Sequence, residues 1–394
     1  MFRVIKQYFK VTDKTYLAAC IACSVLSVFA LISLGISGGG FDINAFDGSF
    51  EGLGSFRNAF VQAVASLLGL CCAIVLSCID YRGLVRIWPV HVVLSWSLVL
   101  LTLTHLHIGP LWLGWNPPTT DNYSWIRLGA LSLQPTELAK ISFILTFAMH
   151  LDNVRERINE PKELAKLLTH IMAAVLVVHV QGDDGTAIVF ASIGCMMLFA
   201  AGLSWKYILS AGAIGVTGFS LMIGFFPDKF LKGYQFERIM ALLHPEDYPD
   251  ISRQQLGGKT AIGSGQIFGR GFFSENHYNV INAQDDFMFS YLAECVGFVG
   301  SIAVIGLLLF IAVRTLMTGL RSEDRVGTYI CAGVFAAIAW QIIINLGMNL
   351  SLLPVIGVTL PFFSAGGTSA LMMYLSVGIV TSVYMHNKKT LFSD

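Results

Sequence analysis

Long apolar runs are the feature that most constrains the fold of this chain. A helix needs about 20 consecutive apolar residues to cross a hydrocarbon core that is about 30 Å thick. Ten runs fit this requirement, and we interpret each as a transmembrane helix. They are residues 15–36, 58–79, 87–107, 136–152, 167–181, 185–203, 206–226, 285–313, 326–350 and 366–385.

The composition supports this interpretation and excludes a water-soluble protein. Hydrophobic residues make up 55% of the 394 residues, charged residues make up 13%, and the mean hydropathy is +0.67. These values depart from the soluble average in the direction of integral membrane proteins. We therefore predict an all-α fold, a single polytopic membrane domain over residues 1–394 with about ten transmembrane helices and no nucleic-acid partner.

The distribution of Lys and Arg predicts how this domain is oriented. An even number of spans places both termini on one side of the membrane, and the segments on that side hold sixteen Lys and Arg against eight on the other. Short cytoplasmic loops carry the excess of positive charge. We therefore expect a bacterial plasma-membrane protein with cytoplasmic N- and C-termini.

One outer segment, at about residues 227–284, is too long to be a simple connection. Connections without secondary structure rarely exceed about 15 residues unless they are functional or disordered. The pattern from Gly233 to Leu243 predicts an amphipathic helix, and glycines recur between residues 261 and 271. Those glycines indicate either a turn or a backbone cradle for phosphate, and Arg238 and Lys259 would suit an anionic ligand.

Three further stretches interrupt the apolar pattern, at residues 133–140, 181–186 and 353–369. Non-helical backbone at membrane depth must be buried in protein or line a wet cavity, because unsatisfied peptide groups are costly in lipid. By the predicted topology all three stretches lie at the outer face. We therefore expect interrupted or re-entrant segments that converge on one outward-facing cavity.

Two adjacent acids, Asp285 and Asp286, stand where the eighth apolar run begins. In a continuous helix, Asp286 would share one face with Ser290, Glu294 and Gly297. An ionised carboxylate in a span costs about 2.5–3.5 kcal/mol, so Asp286 is a functional candidate, although polar residues at this spacing also join helices. Repulsion between two touching carboxylates raises one pKa and favours a base that works near neutral pH.

Taken together, the motifs resemble the SEDS family of bacterial envelope growth, which includes RodA, FtsW and SpoVE, and we expect a RodA-like member. The resemblance extends from about residue 15 to residue 385. It is carried by Trp-Ile-x-Leu-Gly at 125–129, Gln-Pro-Thr-Glu-Leu-Ala-Lys at 134–140, Gln-x-Asp-x-Gly-Thr at 181–186, Ala-Ile-Gly-Ser-Gly at 261–265, Asp-Phe-Met-Phe-Ser at 286–290, Leu-Pro-x-x-Gly-x-x-Leu-Pro-Phe-x-Ser at 353–364 and Gly-Gly-Thr-Ser at 366–369.

The resemblance implies a peptidoglycan glycosyltransferase that polymerises lipid II on the outer leaflet, with a polyprenyl pyrophosphate as leaving group. Asp286 matches the essential acid of the family and would be the general base. The other matched or nearby polar residues become candidates for substrate binding. They are Arg238, Lys259, Glu294, Asp183, Glu137, Lys140, Gln181 and Ser364.

The same resemblance implies membrane lipid and a class B penicillin-binding protein as partners. It assigns no protein metal site, but a divalent cation, Mg²⁺ or Mn²⁺, would help the basic residues to stabilise the departing pyrophosphate. Two other functions fit interrupted spans as well: a flippase for the lipid precursor, and a non-catalytic scaffold for the penicillin-binding protein.

This chain departs from the family pattern at several positions near these motifs. Gly182 and Asp184 stand where the family has proline and leucine. Gln284 and Asp285 replace His-Thr before Asp286, so a second acid adjoins the candidate base, and either acid is a possible base.

Overall fold

The computed structural model describes residues 8, 10–37, 56–116, 122–129, 131–225, 233–274 and 276–387. The start of the predicted outer loop, residues 227–232, lies outside this part of the chain. The described residues are mostly helical. The longer helices are α1 (Lys14–Ser37), α2 (Arg57–Ser77), α3 (Tyr81–Arg86), α4 (Trp88–Thr102), α5 (Pro135–Val154), α6 (Pro161–Val180), α7 (Asp184–Ala200), α8 (Trp205–Phe225), α9 (Gly233–Leu243), α10 (Pro249–Ser264), α11 (Met288–Leu320), α12 (Arg325–Asn349) and α13 (Gly367–His386).

Every apolar run interpreted as a span overlaps one of these helices. Six of them, within the described residues, are long and apolar enough to cross a membrane: α1, α2, α6, α11, α12 and α13. Helices α4 and α7 are apolar but have only 15 and 17 residues. A polytopic membrane fold is therefore confirmed, while ten crossings remain a prediction. The amphipathic helix predicted from Gly233 to Leu243 is present as α9.

The expectation of an all-α fold is wrong in one region, where a small antiparallel sheet lies between α4 and α5. Its strands are β1 (His107–Ile108), β2 (Leu111–Trp115), β3 (Trp125–Leu128) and β4 (Leu131–Leu133), paired in chain order. Leu111 pairs with Leu128, which in turn pairs with Leu131. Strands of two to five residues are too short for a clear alternating pattern, so the sequence did not reveal them.

The bundle is closely packed where glycines face other helices. Helices α2 and α13 approach each other so nearly that a Cβ on Gly378 would lie 2.8 Å from the Cα of Ala73, and a Cβ on Gly69 would lie 2.9 Å from the Cβ of Tyr374. Small residues allow this approach between membrane helices, where van der Waals contact replaces the hydrophobic effect as the attraction.

The two ends of the bundle differ in chemistry. At one end the Tyr81 hydroxyl donates to Asp324 Oδ2 at 2.8 Å, and Arg314 pairs with Asp13 near the start of α1. At the opposite end Ser33, near the end of α1, hydrogen-bonds the Tyr291 hydroxyl at 2.7 Å, close to the start of α11. Asp286 therefore lies at the end away from both described chain termini.

Candidate active site

Asp286 lies in a turn that covers residues 281–287, immediately before α11 begins at Met288. The predicted helical face from Asp286 to Gly297 is therefore wrong, because the helix starts two residues after Asp286. Gly297 itself has φ 67° and ψ −169°, which interrupts the helix. The side chains of Asp285 and Asp286 are half-buried, so each combines a partly apolar environment with access to solvent.

Two asparagines of α12 fix the backbone of the candidate base. Asn345 Nδ2 donates to the carbonyl oxygens of Asp286 and Val358, each at 2.8 Å, and Asn349 Nδ2 donates to the same Asp286 oxygen at 2.9 Å. Asn349 Oδ1 accepts from the backbone and hydroxyl of Ser290 at 3.1 and 2.6 Å. The turn is thus tied to α12 by buried hydrogen bonds.

The interrupted stretch between α12 and α13 lies directly against this turn. Gly357, with φ 72°, is so placed that a Cβ on it would lie 3.8 Å from Asp286 Oδ2. Its neighbour Ile356 touches α7, because a Cβ on Gly185 would lie only 2.3 Å from the Ile356 carbonyl oxygen. Arg238 of α9 donates Nη1 to the carbonyl oxygen of Val355 at 2.8 Å. The stretch between α12 and α13, helix α7 and helix α9 therefore meet around Asp286.

Burial, modified by nearby charges, raises the pKa values of the two acids in this turn. Burial raises the pKa of Asp286 to about 6, with Arg238 acting to lower it and Asp183 to raise it further. Burial and the neighbouring Asp286 charge raise the pKa of Asp285 to about 7. A carboxylate with a pKa just below neutral pH is ionised and basic enough to accept a proton, which is what general-base chemistry requires.

The interruption at residues 181–186 joins the same site. Asp183 is the N-cap of α7, where its Oδ1 accepts from the Thr186 amide at 3.0 Å. Its other oxygen accepts from Gln134 Nε2 at 2.9 Å, so two of the predicted stretches are in contact. Burial raises the pKa of Asp183 as well. Gly182 has φ 83°, which explains why glycine suits this position in the turn.

Four of the other predicted binding residues form contacts within the protein. Glu137 and Lys140 make a buried ion pair at 2.8 Å. Gln181 is fully buried and donates Nε2 to the Val99 carbonyl at 3.2 Å. Ser364 Oγ accepts from the Leu360 amide at 2.8 Å. These contacts shape the segments that surround Asp286, and a direct contact of these side chains with substrate remains a prediction.

Two further candidates, both among the described residues, form no hydrogen bond or ion pair with Asp286. Lys259 is exposed on α10. Glu294 is fully buried in α11, where its Oε1 accepts from the Tyr278 amide at 3.1 Å and from Arg270 Nη1 at 3.3 Å. Glu294 therefore holds the end of the outer segment against α11, and the structure does not bring it to the carboxylate of Asp286.

The structure of the glycine-rich stretch at residues 261–271 favours a turn over a backbone cradle for phosphate. A Cβ on Gly265 would lie 2.3 Å from the Ala293 carbonyl oxygen, so the glycine allows close approach to α11. The amides of Arg270 and Gly271 donate to the carbonyl oxygens of Glu294 and Cys295 at 2.8 and 2.9 Å. Since these donors already have protein acceptors, the stretch packs the outer segment onto α11 rather than cradling phosphate.

Sequence reasoning missed the two asparagines that position Asp286. Asn345 and Asn349 lie inside an apolar run, and their spacing of four residues on one helix face was the signal that could have found them. Gln62 was missed in the same way. It donates Nε2 to the Phe362 carbonyl at 3.1 Å and thereby anchors the interrupted stretch to α2.

The carboxylates of the site do not form a protein cage for a metal. Among the described residues, no three or more His, Cys, Asp or Glu side chains lie together in a way that could hold an ion. Mg²⁺ is commonly held by one or two carboxylates together with substrate phosphates, so any divalent cation here would depend on the substrate for most of its ligands.

A family model described as "Cell cycle protein", covering FtsW, RodA and SpoVE, matches residues 19–389. Similar proteins carry names from the same group. The chain is 30% identical to the probable peptidoglycan glycosyltransferase FtsW of Trichlorobacter lovleyi, over 82% of each chain. It is 32% identical to the peptidoglycan glycosyltransferase MrdB of Escherichia coli, over 67% of this chain and 71% of that one.

Solved structures share the fold over nearly the whole chain. One comes from work titled "Structural coordination of polymerization and crosslinking by a peptidoglycan synthase complex", with a TM-score of 0.73 and 25% identity over 96% of this chain and 99% of that one. The rod shape determining protein RodA of Thermus thermophilus has a TM-score of 0.64 and 23% identity, over 97% and 98% of the two chains.

Proposed function

This chain belongs to the family of FtsW, RodA and SpoVE, and from that premise we propose that it is a peptidoglycan glycosyltransferase that polymerises lipid II at the outer face of the plasma membrane. The observation that carries the proposal is the position of Asp286. It is a half-buried carboxylate with a pKa raised to about 6, fixed through its backbone and close enough to Arg238 to be influenced by its charge.

Asp286 acts as the general base in the proposed reaction. The 4-hydroxyl oxygen of the acceptor sugar forms a bond with the anomeric carbon of the donor, and the bond from that carbon to the pyrophosphate breaks. The hydroxyl proton passes to the Asp286 carboxylate, and polyprenyl pyrophosphate leaves. A well-placed base contributes about 10²–10⁴-fold to such a rate.

Arg238 supplies positive charge for the leaving group. Its guanidinium donates Nη1 to the Val355 carbonyl in the segment that faces Asp286, and in our proposal its charge stabilises the pyrophosphate oxygens. Stabilisation of charge that develops in the transition state is commonly the largest catalytic contribution. Lys259 is exposed on α10 and would serve only if the bound substrate extends that far.

The orientation and partners belong to the same proposal. The site at the start of α11 would face outward, where lipid II is presented and nucleotide sugars are absent, and both termini would be cytoplasmic. A class B penicillin-binding protein would crosslink the strands made here. In support, a structure that aligns with 96% of this chain comes from work on a synthase complex that combines polymerisation with crosslinking.

The flippase alternative is less well supported. A transporter also uses broken helices around a midplane site. However, the relatives are named glycosyltransferases, and the acid with the raised pKa lies in the turn before α11, at the end of the bundle. A flippase has no obvious use for a base there. A purely scaffolding role would leave that base without a function.

One reconstitution experiment distinguishes the glycosyltransferase, the flippase and the scaffold. Purified protein in liposomes receives fluorescent lipid II, with and without the penicillin-binding protein, and both glycan chain length and lipid translocation are measured. We expect glycan chains. Translocation without polymer would identify a flippase, and neither product in the presence of the partner would indicate a scaffold.

A further inference from the structure

Asp184 joins three helices, α6, α7 and α9, through one carboxylate. It is the first residue of α7, and its side chain is 25% exposed. Its Oδ1 lies 2.5 Å from His179 Nδ1 at the end of α6, and its Oδ2 accepts from Gln235 Nε2 of α9. A leucine at this position would offer neither acceptor.

The contact with Gln235 bears on the candidate active site because α9 carries Arg238. Residues three apart in a helix lie on the same face, so Gln235 and Arg238 project together towards the bundle. An isolated helix of 11 residues is marginal in water, and its position depends on tertiary anchors. Within the described part of the chain, Asp184 anchors one turn of α9 through Gln235, and the Val355 carbonyl anchors the next turn through Arg238.

We propose that Asp184 is a positioning residue, which holds α9 through Gln235 and thereby places the Arg238 guanidinium beside Asp286. The catalytic consequence rests on the proposed glycosyltransferase function, whereas the anchoring itself does not. A simpler role is available, since an acid in the first turn of a helix interacts favourably with the helix dipole. The two roles make different demands: anchoring needs an acceptor, and the dipole needs a negative charge.

Two substitutions separate these roles. Asp184→Asn keeps an oxygen that accepts from Gln235. Its amide nitrogen can donate to His179 Nδ1 when the imidazole carries its proton on the other ring nitrogen, so this contact is kept as well. The asparagine has no charge. Asp184→Leu removes both acceptors and the charge. The control is Glu237→Gln, which removes an exposed charge from the same helix α9.

The first measurement is hydrogen exchange of the amides in residues 233–243 and does not depend on activity. Anchoring predicts faster exchange there in Asp184→Leu, with exchange near the wild-type rate in Asp184→Asn and Glu237→Gln. Unchanged exchange in Asp184→Leu would overturn the proposal, and so would equal acceleration in Asp184→Asn.

The second measurement tests whether Asp184 acts through Arg238. Polymerisation of lipid II is compared in Asp184→Leu, Arg238→Ala and the double variant. We expect Asp184→Leu to lower kcat on the order of tenfold, as small displacements of catalytic groups do, and to cause no further loss when Arg238 is already alanine. Losses that multiply would refute the positioning role. If the wild type makes no polymer, the proposed function fails, and hydrogen exchange still decides whether Asp184 anchors α9.

Discussion

Asn345 donates its side-chain amide to the backbone carbonyl of Asp286 at 2.8 Å, and the same nitrogen also donates to the Val358 carbonyl. One buried side chain therefore connects the turn that carries the candidate base to the segment that faces its carboxylate. The acid and the wall of its site are held together by α12, which is itself mostly buried. Rigid positioning of this kind favours catalysis, because a base must be held in place before the reaction.

Replacing Asn345 by alanine should therefore reduce both stability and activity. The Val358 carbonyl would lose its buried donor Asn345, while the Asp286 carbonyl would keep only the donor from Asn349. An unsatisfied buried polar group costs about 1–3 kcal/mol. Thermal unfolding in detergent should show a lower midpoint, and polymerisation should fall. The matched control is Asn279→Ala in the outer segment, where the asparagine is exposed and its loss should change neither quantity. If both variants had the same unfolding midpoint and the same polymerisation rate, this role of Asn345 would be contradicted.

The rate of polymerisation should rise with pH through about 6. The base must be unprotonated, and burial raises the pKa of Asp286 to about 6, so at pH 5 roughly a tenth of the molecules are competent. Because Arg238 lowers this pKa, Arg238→Gln should move the midpoint of the profile to higher pH. Initial rates between pH 5 and 8 at lipid II concentrations well below KM, which report kcat/KM and hence the free enzyme, provide the test. A profile that is flat, or a midpoint that is the same in both proteins, would count against the assignment.

Asp285 should make the folded protein less stable as the pH rises. Its folded pKa of about 7 lies above the ordinary value of 3.8, so its contribution is fully present below pH 4 and is lost as the pH passes through 7. Asp285→Asn removes this loss. We expect the free energy of unfolding of this variant to equal that of the wild type at pH 4. At pH 8 it should exceed the wild-type value by on the order of 2 kcal/mol, after allowance for partial exposure. Chemical unfolding at both pH values measures the difference, and an equal effect at the two values would contradict it.

Gly297→Ala should detach the outer segment from α11. The backbone at Gly297 has φ 67° and ψ −169°, and a Cβ there would lie 2.2 Å from the Gly269 amide nitrogen. Such a conformation is essentially restricted to glycine, and together with the clash we expect a loss of about 3 kcal/mol or more. Limited proteolysis between residues 264 and 287 reports the detachment. Gly306→Ala in the same helix is the control, because nothing lies within 4 Å of its Cβ position. Protection that is equal in both variants would rule out this role for Gly297.

Much of the helical framework was predictable because the apolar runs are long. Each predicted span overlaps a helix, and the spans predicted to begin at residues 136 and 185 match helices that begin at Pro135 and Asp184. The sheet was not predictable, since its strands have two to five residues and little alternation. The extent of α11 was also misjudged: the apolar pattern continues through Asp286, but the helix begins at Met288.

The site itself was only partly readable from the sequence. The resemblance to a family selected Asp286, and the interrupted stretches indicated where polar segments would gather. The pairings were hidden, because they join distant parts of the chain. Neither the bond from Gln134 to Asp183 nor the influence of Arg238 on Asp286 follows from local spacing. Asn345 was hidden for a different reason: a single amide within an apolar run is also typical of ordinary contacts between helices.

The most direct test of the central claim compares the rate of lipid II polymerisation by Asp286→Asn with that of Asp285→Asn in the same preparation. Both variants replace an acid by its amide, at adjacent and similarly buried positions. If Asp286 is the base, Asp286→Asn should lose at least about 100-fold in rate while remaining folded. Asp285→Asn should stay within a few-fold of the wild type. Polymerisation by Asp286→Asn at the wild-type rate would contradict the account.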